Sequence, residues 1–464
     1  MAEVHRYSAS GLASAYARGE LSPVDVVRQA IARMEHWEPR INAMYRIDTQ
    51  GAIAAAGASE ARWRAGKPLS PLDGVPVTIK ENIATRGHPA PIGTRANEDA
   101  PAQPADAPPA ARVREAGCVI LGKTTMPDYG MLSSGVSSLH GVTRNPWRTD
   151  RNTSGSSSGA AAAAVAGYAP LHIGTDIGGS LRLPATHCGI FALKPSFGRV
   201  PILPPYMGRV AGPMTRSVED AALMLNELAK PDARDFMSLP YEERNLAEDL
   251  EVLSPKLVKI GYIADMGVGL PVHPQVRAAA ESAAAALAGA GCSVESIRSF
   301  LTEAMLDAMC RFFEARSYHD LMNLTAERRA RMLPFIAEWC TWRAQHFTGR
   351  EVMQAYALVM AMREAAVAAT LRYDFILSPT SPILPYEADL PAPGNDPRNA
   401  LPHIAFTVPY NMSEQPAASI NWTHTSDGLP IGIQLVGRRF DDPGVLRMCR
   451  LIETLRPAQR PWPD

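Results

Sequence analysis

The stretch from Arg151 to Pro195 constrains the fold more than any other, because it places two glycine- and serine-rich clusters on either side of an alanine-rich run. The first cluster, residues 154–159, reads SGSSSG, and the second, residues 174–180, reads GTDIGGS. Glycine permits backbone conformations closed to other residues and lets a ligand approach the main chain. Successive N–H groups in such turns form anion sites, so a serine among them has donors beside its own reaction centre.

The sequence around this stretch predicts alternating strands and helices. Apolar runs predict strands at Val75–Ile79 and Cys118–Leu121, with a helix at Ala110–Glu115 between them, which is the spacing of a βαβ layer. Helix propensity predicts a helix over Ala160–Ala166. Leu171–Ile173 then predicts a short strand that leads into the second cluster. This order indicates the α/β class.

Further elements are predicted outside this region. Ser22 before Pro23 is typical of a helix start, and Ser217 with Asp220 three residues later is a variant of the capping box. The polar segment Asp232–Leu253 is expected to lie on the surface. The other predicted elements are helices at Ala52–Trp63, Val276–Ala290 and within Phe300–Arg372, and strands at Val258–Tyr262, Ser293–Ile297, Phe375–Leu377 and Ile431–Val436.

Composition excludes several classes of function. The formal net charge of −1 gives no electrostatic reason to expect nucleic acid or an anionic membrane as a partner. No uninterrupted apolar run of about 18 residues predicts a membrane span, and the first residues lack the apolar core of a signal peptide. The six cysteines are scattered without a CxxC pair, which is typical of reduced thiols in a cytoplasmic protein. Since HExxH and Walker A patterns are also missing, we expect no metal and no other cofactor.

The two clusters resemble the core of the amidase signature family of serine hydrolases, which reads GGSSGG, an alanine-rich helix, then GTDxGGSxRxPA. In that family the nucleophile is the serine of the second cluster, the first serine of the SS pair follows a cis peptide bond, and a lysine ends a GVPVxVKD-like strand. The resemblance places these positions on Ser180, Ser156 and Lys80. Ser156 and Ser180 lie 24 positions apart, as in the family.

This resemblance extends from about Leu12 to about Ile452 and implies a fold. We expect one amidase signature domain over residues 1–464, with a mixed, twisted central β-sheet surrounded by helices. The catalytic core is expected at about 70–225 and a variable helical substrate-pocket region at about 300–372.

The resemblance also implies a mechanism. Neutral Lys80 accepts a proton from Ser156, which accepts one from Ser180, and Ser180 attacks the acyl carbon. Water then hydrolyses the acyl-enzyme. The oxyanion is expected to bind the backbone N–H groups of Ile177, Gly178, Gly179 and Ser180. Supporting roles are implied for Ser157 and Thr175 as hydrogen-bond donors and for Asp176 and Arg182 as an ion pair.

Each of these residues also has an ordinary structural interpretation. Ser180 alone fits a helix N-cap, Ser156 fits a turn, and Lys80 fits a surface lysine with a buried stem. Ser154 and Ser158 stand where the family has glycine, which makes the first loop more polar and leaves Ser157 or Ser158 open as the relay.

Two further assignments stay open at this point. Arg182 could bind a substrate carboxylate, although pairing with Asp176 is favoured. The methionine and aromatic residues of the helical region fit either a core or a pocket lining; they are Met305, Met309, Phe312, Phe313, Tyr318 and Met322.

Three functions remain in competition. The favoured one is hydrolysis of small or aryl amides, with esters and carbamates as further substrates, by a monomer or homodimer. The alternative is the glutaminase subunit of a tRNA-dependent amidotransferase. The third is a binding protein without activity, which the presence of Lys80, Ser156 and Ser180 disfavours.

Overall fold

A large mixed β-sheet organises the structure, a computed structural model that describes residues 3–250 and 254–464. Within these residues eleven strands form the sheet, in the order β1-β3-β2-β4-β6-β5-β10-β11-β9-β7-β8. In chain order the strands are Met44–Ile47 (β1), Pro76–Lys80 (β2), Val119–Thr124 (β3), Leu171–Asp176 (β4), Phe191–Lys194 (β5), Val210–Thr215 (β6), Lys259–Tyr262 (β7), Ser293–Ser296 (β8), Phe375–Pro379 (β9), Ala417–His424 (β10) and Pro430–Gly437 (β11).

The pairing of the central strands brings the two sequence motifs together. Strand β2 pairs in parallel with both β3 and β4. Its pairing with β4 aligns Ile79 with Ile173, so Lys80 and the start of the second glycine cluster lie at the same edge of the sheet. Strand β6 then pairs antiparallel to β4, with Val210 opposite Asp176.

Helices surround the sheet, and the helix that follows the first cluster is buried on all sides. Every residue of Ser158–Ala166 is buried, and a Cβ at Gly159 would collide with Ala43 and Thr125. Small side chains thus let this helix pack directly beneath the first cluster. In chain order the helices are Ala9–Ala17 (α1), Pro23–Ile41 (α2), Thr49–Arg64 (α3), Pro108–Glu115 (α4), Ser158–Ala166 (α5), Arg182–Cys188 (α6), Val218–Leu228 (α7), Pro274–Gly289 (α8), Glu303–Met322 (α9), Ala326–Arg329 (α10), Pro334–Thr341 (α11), Gly349–Thr370 (α12), Val408–Met412 (α13) and Asp442–Leu455 (α14).

The structure confirms the α/β class and the mixed central sheet with surrounding helices. The βαβ prediction is also confirmed, since β2, α4 and β3 follow one another and β2 pairs in parallel with β3. The predicted helical region at 300–372 consists of four separate helices, α9 to α12.

One local prediction needs correction, and another holds over most of its length. Ser217 Oγ accepts a hydrogen bond from Asp220 N at 3.2 Å, but the Asp220 carboxylate accepts from Ala9 N at 2.8 Å, so it serves the start of α1 rather than closing a capping box. The segment predicted to lie on the surface does so over most of its described length, although Asp235, Leu246 and Leu250 within it are buried. Its last residues, 251–253, lie outside the described residues.

One helix in the described part of the chain, α12, is long and apolar enough to cross a membrane by length and composition alone. It begins with a capping box formed by Thr348 and Glu351 and packs against α9. A single helix of this kind is weak evidence for a membrane span, because core helices pass the same test.

Candidate active site

A chain of polar contacts joins Lys80, Ser156 and Ser180 at the carboxyl ends of strands β2 and β4. Lys80 Nζ lies 2.9 Å from Ser156 Oγ, which lies 3.0 Å from Ser180 Oγ. Lys80 is fully buried and Ser156 nearly so, whereas Ser180 is partly exposed. The contacts therefore lead from a buried amine to a hydroxyl that a ligand can reach.

Three different elements position these side chains. Lys80 is the last residue of β2, Ser156 precedes α5, and Ser180 precedes α6. The Gly155–Ser156 peptide bond is cis. A Cβ at Gly155 would lie 2.5 Å from Ser134 O, so the loop that carries Ser156 needs glycine there. The two clusters also contact each other directly, because Ser157 N donates to Ser180 O at 3.3 Å.

Two further hydroxyl groups surround the Lys80 amine. Ser157 Oγ and Thr175 Oγ1 each lie 3.0 Å from Lys80 Nζ. Ser157 Oγ donates to Thr175 O at 3.1 Å, while Thr175 Oγ1 accepts from Asn82 Nδ2 at 3.1 Å. Lys80 Nζ donates to both oxygens, and Ser156 is the remaining partner of the amine.

Burial lowers the pKa of Lys80 well below the usual lysine value. The negative charge of Asp176 opposes this change, the positive charge of Arg209 adds to it, and Glu81 opposes it further. A lysine with a lowered pKa holds an unprotonated amine closer to neutral pH, which is the form that accepts a proton.

The loop between β4 and Ser180 offers unused backbone donors. Gly179 N donates to Asp176 Oδ1 at 2.7 Å and is thus occupied. Among the described residues, the N–H groups of Ile177, Gly178 and Ser180 have no hydrogen-bond acceptor. These three residues are partly exposed, so their N–H groups remain available to the oxygen of a ligand.

A buried ion pair holds this loop. Arg182 Nε and Nη2 each donate to the Asp176 carboxylate at 3.1 Å, and neither side chain is exposed. Burial alone would raise the pKa of Asp176, but the charge and hydrogen bonds of Arg182, with bonds from Asn411 and Leu181, lower it to about 2. The geometry matches the expected structural pair and leaves Arg182 no access to a ligand.

The remaining donors of Arg182 bind parts of the chain that the sequence analysis did not single out. Its Nη1 donates to Thr407 O at 2.9 Å and to Gln434 Oε1 at 2.8 Å, and its Nη2 donates to Asn411 Oδ1 at 2.6 Å. Thr407 Oγ1 in turn donates to Gly178 O at 2.6 Å. No local motif marks these residues, because their contacts depend on the packing of α13 and β11 against the loop.

The methionine and aromatic residues of α9 have more than one environment. Phe313 lies beside the loop, since a Cβ at Gly178 would be 3.7 Å from its ring and from Ile404 Cδ1. Met309 is fully buried in the core, whereas Met322 is 49% exposed. Part of the α9 pattern therefore lies next to the candidate site and the rest does not.

Within residues 3–250 and 254–464 no group of three or more His, Cys, Asp or Glu side chains is arranged to hold a metal ion. Cys188 follows Ser180 in the chain but is fully buried, and burial raises the pKa of its thiol. The polar groups that meet at the site come from the two glycine- and serine-rich clusters and from Lys80 at the end of β2.

Comparison with known proteins assigns the chain to a family. The sequence profile of the family described as Amidase matches residues 25–446. An acylamidase of Rhodococcus erythropolis is 33% identical, with 99% of this chain and 97% of the relative covered. One component of the glutamyl-tRNA(Gln) amidotransferase of Symbiobacterium thermophilum is 34% identical, with 95% of each chain covered. The crystal structure of a bacterial aryl acylamidase of the amidase signature family superposes with a TM-score of 0.90 and 28% identity, covering 98% of this chain and 97% of that one.

Proposed function

The chain belongs to the amidase signature family of amide-hydrolysing enzymes, and from this membership we propose that it hydrolyses small or aryl carboxylic amides through an acyl-enzyme on Ser180. The observation that carries this proposal is the unbroken contact from Lys80 through Ser156 to Ser180. We extend the proposal to aryl esters and carbamates, because the same acyl transfer releases their leaving groups.

In the proposed mechanism, Lys80 is the base. Its neutral amine donates its two N–H groups to Ser157 and Thr175 and directs its lone pair at Ser156. Ser180 loses its proton to Ser156 while its Oγ bonds to the acyl carbon, and Ser156 passes its own proton to Lys80. The protons return through Ser156 to the leaving nitrogen, which departs as the amine.

The second half of the cycle repeats these transfers with water. Water gives its proton to Ser156 as its oxygen attacks the acyl carbon, and the carboxylic acid leaves as Ser180 Oγ regains a proton. In both halves the developing oxyanion accepts from the N–H groups of Ile177, Gly178 and Ser180. Gly179, the fourth donor implied by the sequence, is engaged by Asp176 and holds the loop instead. Each such donor typically lowers the barrier by about 3–4 kcal/mol.

Three considerations support the preference for aryl amides. Phe313 and Ile404 place apolar surface beside Gly178, and anilines need less protonation to leave than alkyl amines do. The acylamidase of Rhodococcus erythropolis and the aryl acylamidase structure are each similar over nearly the whole chain. We further propose one domain over residues 1–464, and a cytoplasmic protein that acts on small molecules as a monomer or homodimer.

Purified protein assayed with anilides, aliphatic amides, p-nitrophenyl esters and aryl carbamates tests this function. Ser180→Ala and Ser156→Ala should each abolish turnover, while the control Ser158→Ala should keep it, because that hydroxyl contacts Thr125 O rather than the relay. Mass spectrometry of the wild type should show an acyl adduct on Ser180. An adduct formed by the Ser180→Ala variant would contradict the assignment.

A second candidate function follows from the amidotransferase relatives, which are as similar as the acylamidase. In that case the chain would release ammonia from glutamine as one component of an amidotransferase. Glutamine hydrolysis that appears only when the other components are added, together with no turnover of anilides or esters, would decide for this alternative.

A further inference from the structure

A second cationic residue has its backbone beside the loop and takes no part in the proposed proton relay. Arg209 directly precedes β6, where Val210 pairs with Asp176 at the end of β4. On its other side, Gly208 O accepts from Asn411 Nδ2 at 3.1 Å, and the same nitrogen donates to Asp176 at 2.8 Å. The backbone of Arg209 is thus fixed on both sides to the residues that hold the Ile177–Ser180 loop.

The Arg209 guanidinium has few partners. Its Nη1 donates to Pro204 O at 2.9 Å, but a guanidinium has five N–H donors in all. No carboxylate of the described residues forms an ion pair with it, and the charge that acts on its pKa is that of another cation, Arg316. Most buried or half-buried arginines in this structure are paired, as Arg182, Arg199 and Arg343 are. Arg209 therefore differs from an arginine that only stabilises the fold.

Arg316 approaches the same place from α9. It lies three residues after Phe313, which contacts the loop, and residues three apart share one face of a helix. Its guanidinium carbon lies 4.6 Å from the centre of the Tyr206 ring, and Tyr206 O accepts from Arg209 N at 3.0 Å. Asp320 lies 3.9 Å from Arg316 and offsets part of its charge, so Arg209 remains the uncompensated cation.

We propose that Arg209, assisted by Arg316, binds a carboxylate on the amide substrate, so that the protein prefers carboxylate-bearing amides to neutral amides of the same shape. This inference rests on the proposed amide hydrolysis and specifies its substrate class. Guanidinium groups bind carboxylates with two parallel hydrogen bonds, which a point charge does not reproduce. The buried Arg182 cannot fill this role because its donors are engaged within the fold.

Binding to an inactive variant tests the inference without requiring turnover. The Ser180→Ala variant is titrated calorimetrically with two pairs of amides. In 4-acetamidobenzoate the carboxylate is on the amine side, and 4-acetamidoacetophenone is its neutral partner. In succinanilic acid the carboxylate is on the acyl side, and levulinic anilide is its neutral partner.

At least one acid should bind about ten- to a hundredfold more tightly than its ketone partner, as expected for a hydrogen bond between charged groups. The pair that shows the difference identifies the side of the substrate that carries the carboxylate. Adding Arg209→Gln to the inactive variant should remove the difference, and Arg209→Lys should restore only part of it. The control Arg372→Gln, which replaces an exposed arginine in the turn before β9, should retain it.

Equal binding of acid and ketone, no binding of either acid, or a preference that survives Arg209→Gln would each overturn the inference. Thermal unfolding of every variant shows whether it is folded, and the Arg209→Lys variant keeps the test decisive if the glutamine variant does not fold. The proposed function is tested separately, by hydrolysis of neutral anilides by the wild type. Hydrolysis without acid preference would refute only the carboxylate site, whereas acid preference in binding without any hydrolysis would refute only the amidase activity.

Discussion

Replacement of Arg182 by methionine should destabilise the protein more than the loss of any exposed ion pair would. Arg182 and Asp176 are both fully buried and share two hydrogen bonds of 3.1 Å. Methionine fills much of the same space but removes every donor. Asp176 would then stay buried with only neutral donors, chiefly Gly179 N, Leu181 N and Asn411 Nδ2.

The size of the effect follows from the ion pair. Breaking a buried pair by removing one partner costs about 3–5 kcal/mol, out of a total stability of about 5–15 kcal/mol. The pKa of Asp176 gives a smaller figure, since lowering it from 3.8 to about 2 corresponds to about 2 kcal/mol. That figure is net of the burial penalty, which Arg182→Met leaves uncompensated, so we expect a loss of about 3–5 kcal/mol.

The pH dependence has a definite sign. In the wild type, the folded-state pKa of Asp176 is depressed, so its stabilising contribution is present above about pH 4 and is lost as the pH falls toward 2. Without Arg182 the burial penalty dominates, and protonation relieves it. The variant should therefore lose less stability, relative to the wild type, near pH 4 than at about pH 7.

Urea unfolding followed by circular dichroism measures these differences. Arg144→Met is the matched control, because Arg144 binds Asp389 at 2.8 Å in an exposed pair, which typically contributes under about 1 kcal/mol. The double variant Asp176→Asn/Arg182→Met should recover part of the loss, since it removes the unpaired charge. A loss under about 1 kcal/mol for Arg182→Met, or no recovery in the double variant, would refute the reasoning.

Three other predictions address the site and the fold. If Lys80 is the base, kcat/KM for a neutral anilide should rise with pH and level off below the ordinary lysine pKa of about 10.4; a rate that still rises through that pKa, or one that falls as the pH rises toward it, would contradict this. Gly130→Ala should lower kcat at least about tenfold, because its Cβ would lie 3.2 Å from Ser156 Oγ at a φ of +67°, whereas Gly141→Ala, also at positive φ but with its nearest neighbour, Asn42 Nδ2, at 3.9 Å, should keep kcat. Thr348→Ala should remove about 1 kcal/mol of unfolding free energy by breaking a capping box, with unchanged kcat for the folded enzyme.

The residues of the proposed relay could be predicted because they lie in short motifs with glycine neighbours. Lys80 ends a strand, and Ser156 and Ser180 each follow a glycine within a cluster, so they lie in short motifs that a resemblance to the amidase signature family can match. Arg209, Thr407 and Gln434 carry no such signal. Their positions depend on which distant strands and helices pack against the loop, and a single sequence does not state this.

Strand β6 shows how local rules miss a strand for a physical reason. Its sequence includes Gly212 and Pro213, residues that usually end a strand or mark its edge. In the structure Gly212 lies opposite Gly174 in the ladder with β4. A Cβ at Gly212 would collide with Leu193 O of β5, so glycine is needed for the close approach of neighbouring strands. Gly212, which predicts a turn from sequence, is here required for neighbouring strands to pack closely.

The same dependence on packing determines which donors the loop has to offer. From sequence, four successive N–H groups from Ile177 to Ser180 are equivalent. Arg182 keeps the Asp176 carboxyl ionised, and this carboxylate accepts hydrogen bonds from Gly179 N and Leu181 N. The N–H of Gly179, the third of the four, is therefore not available to a ligand. The aspartate thus fixes the turn and selects the donors that stay free. It follows that Asp176→Asn, which weakens both bonds, should disturb the free donors as well, and that the GTDIGGS motif requires its acid as much as its glycines.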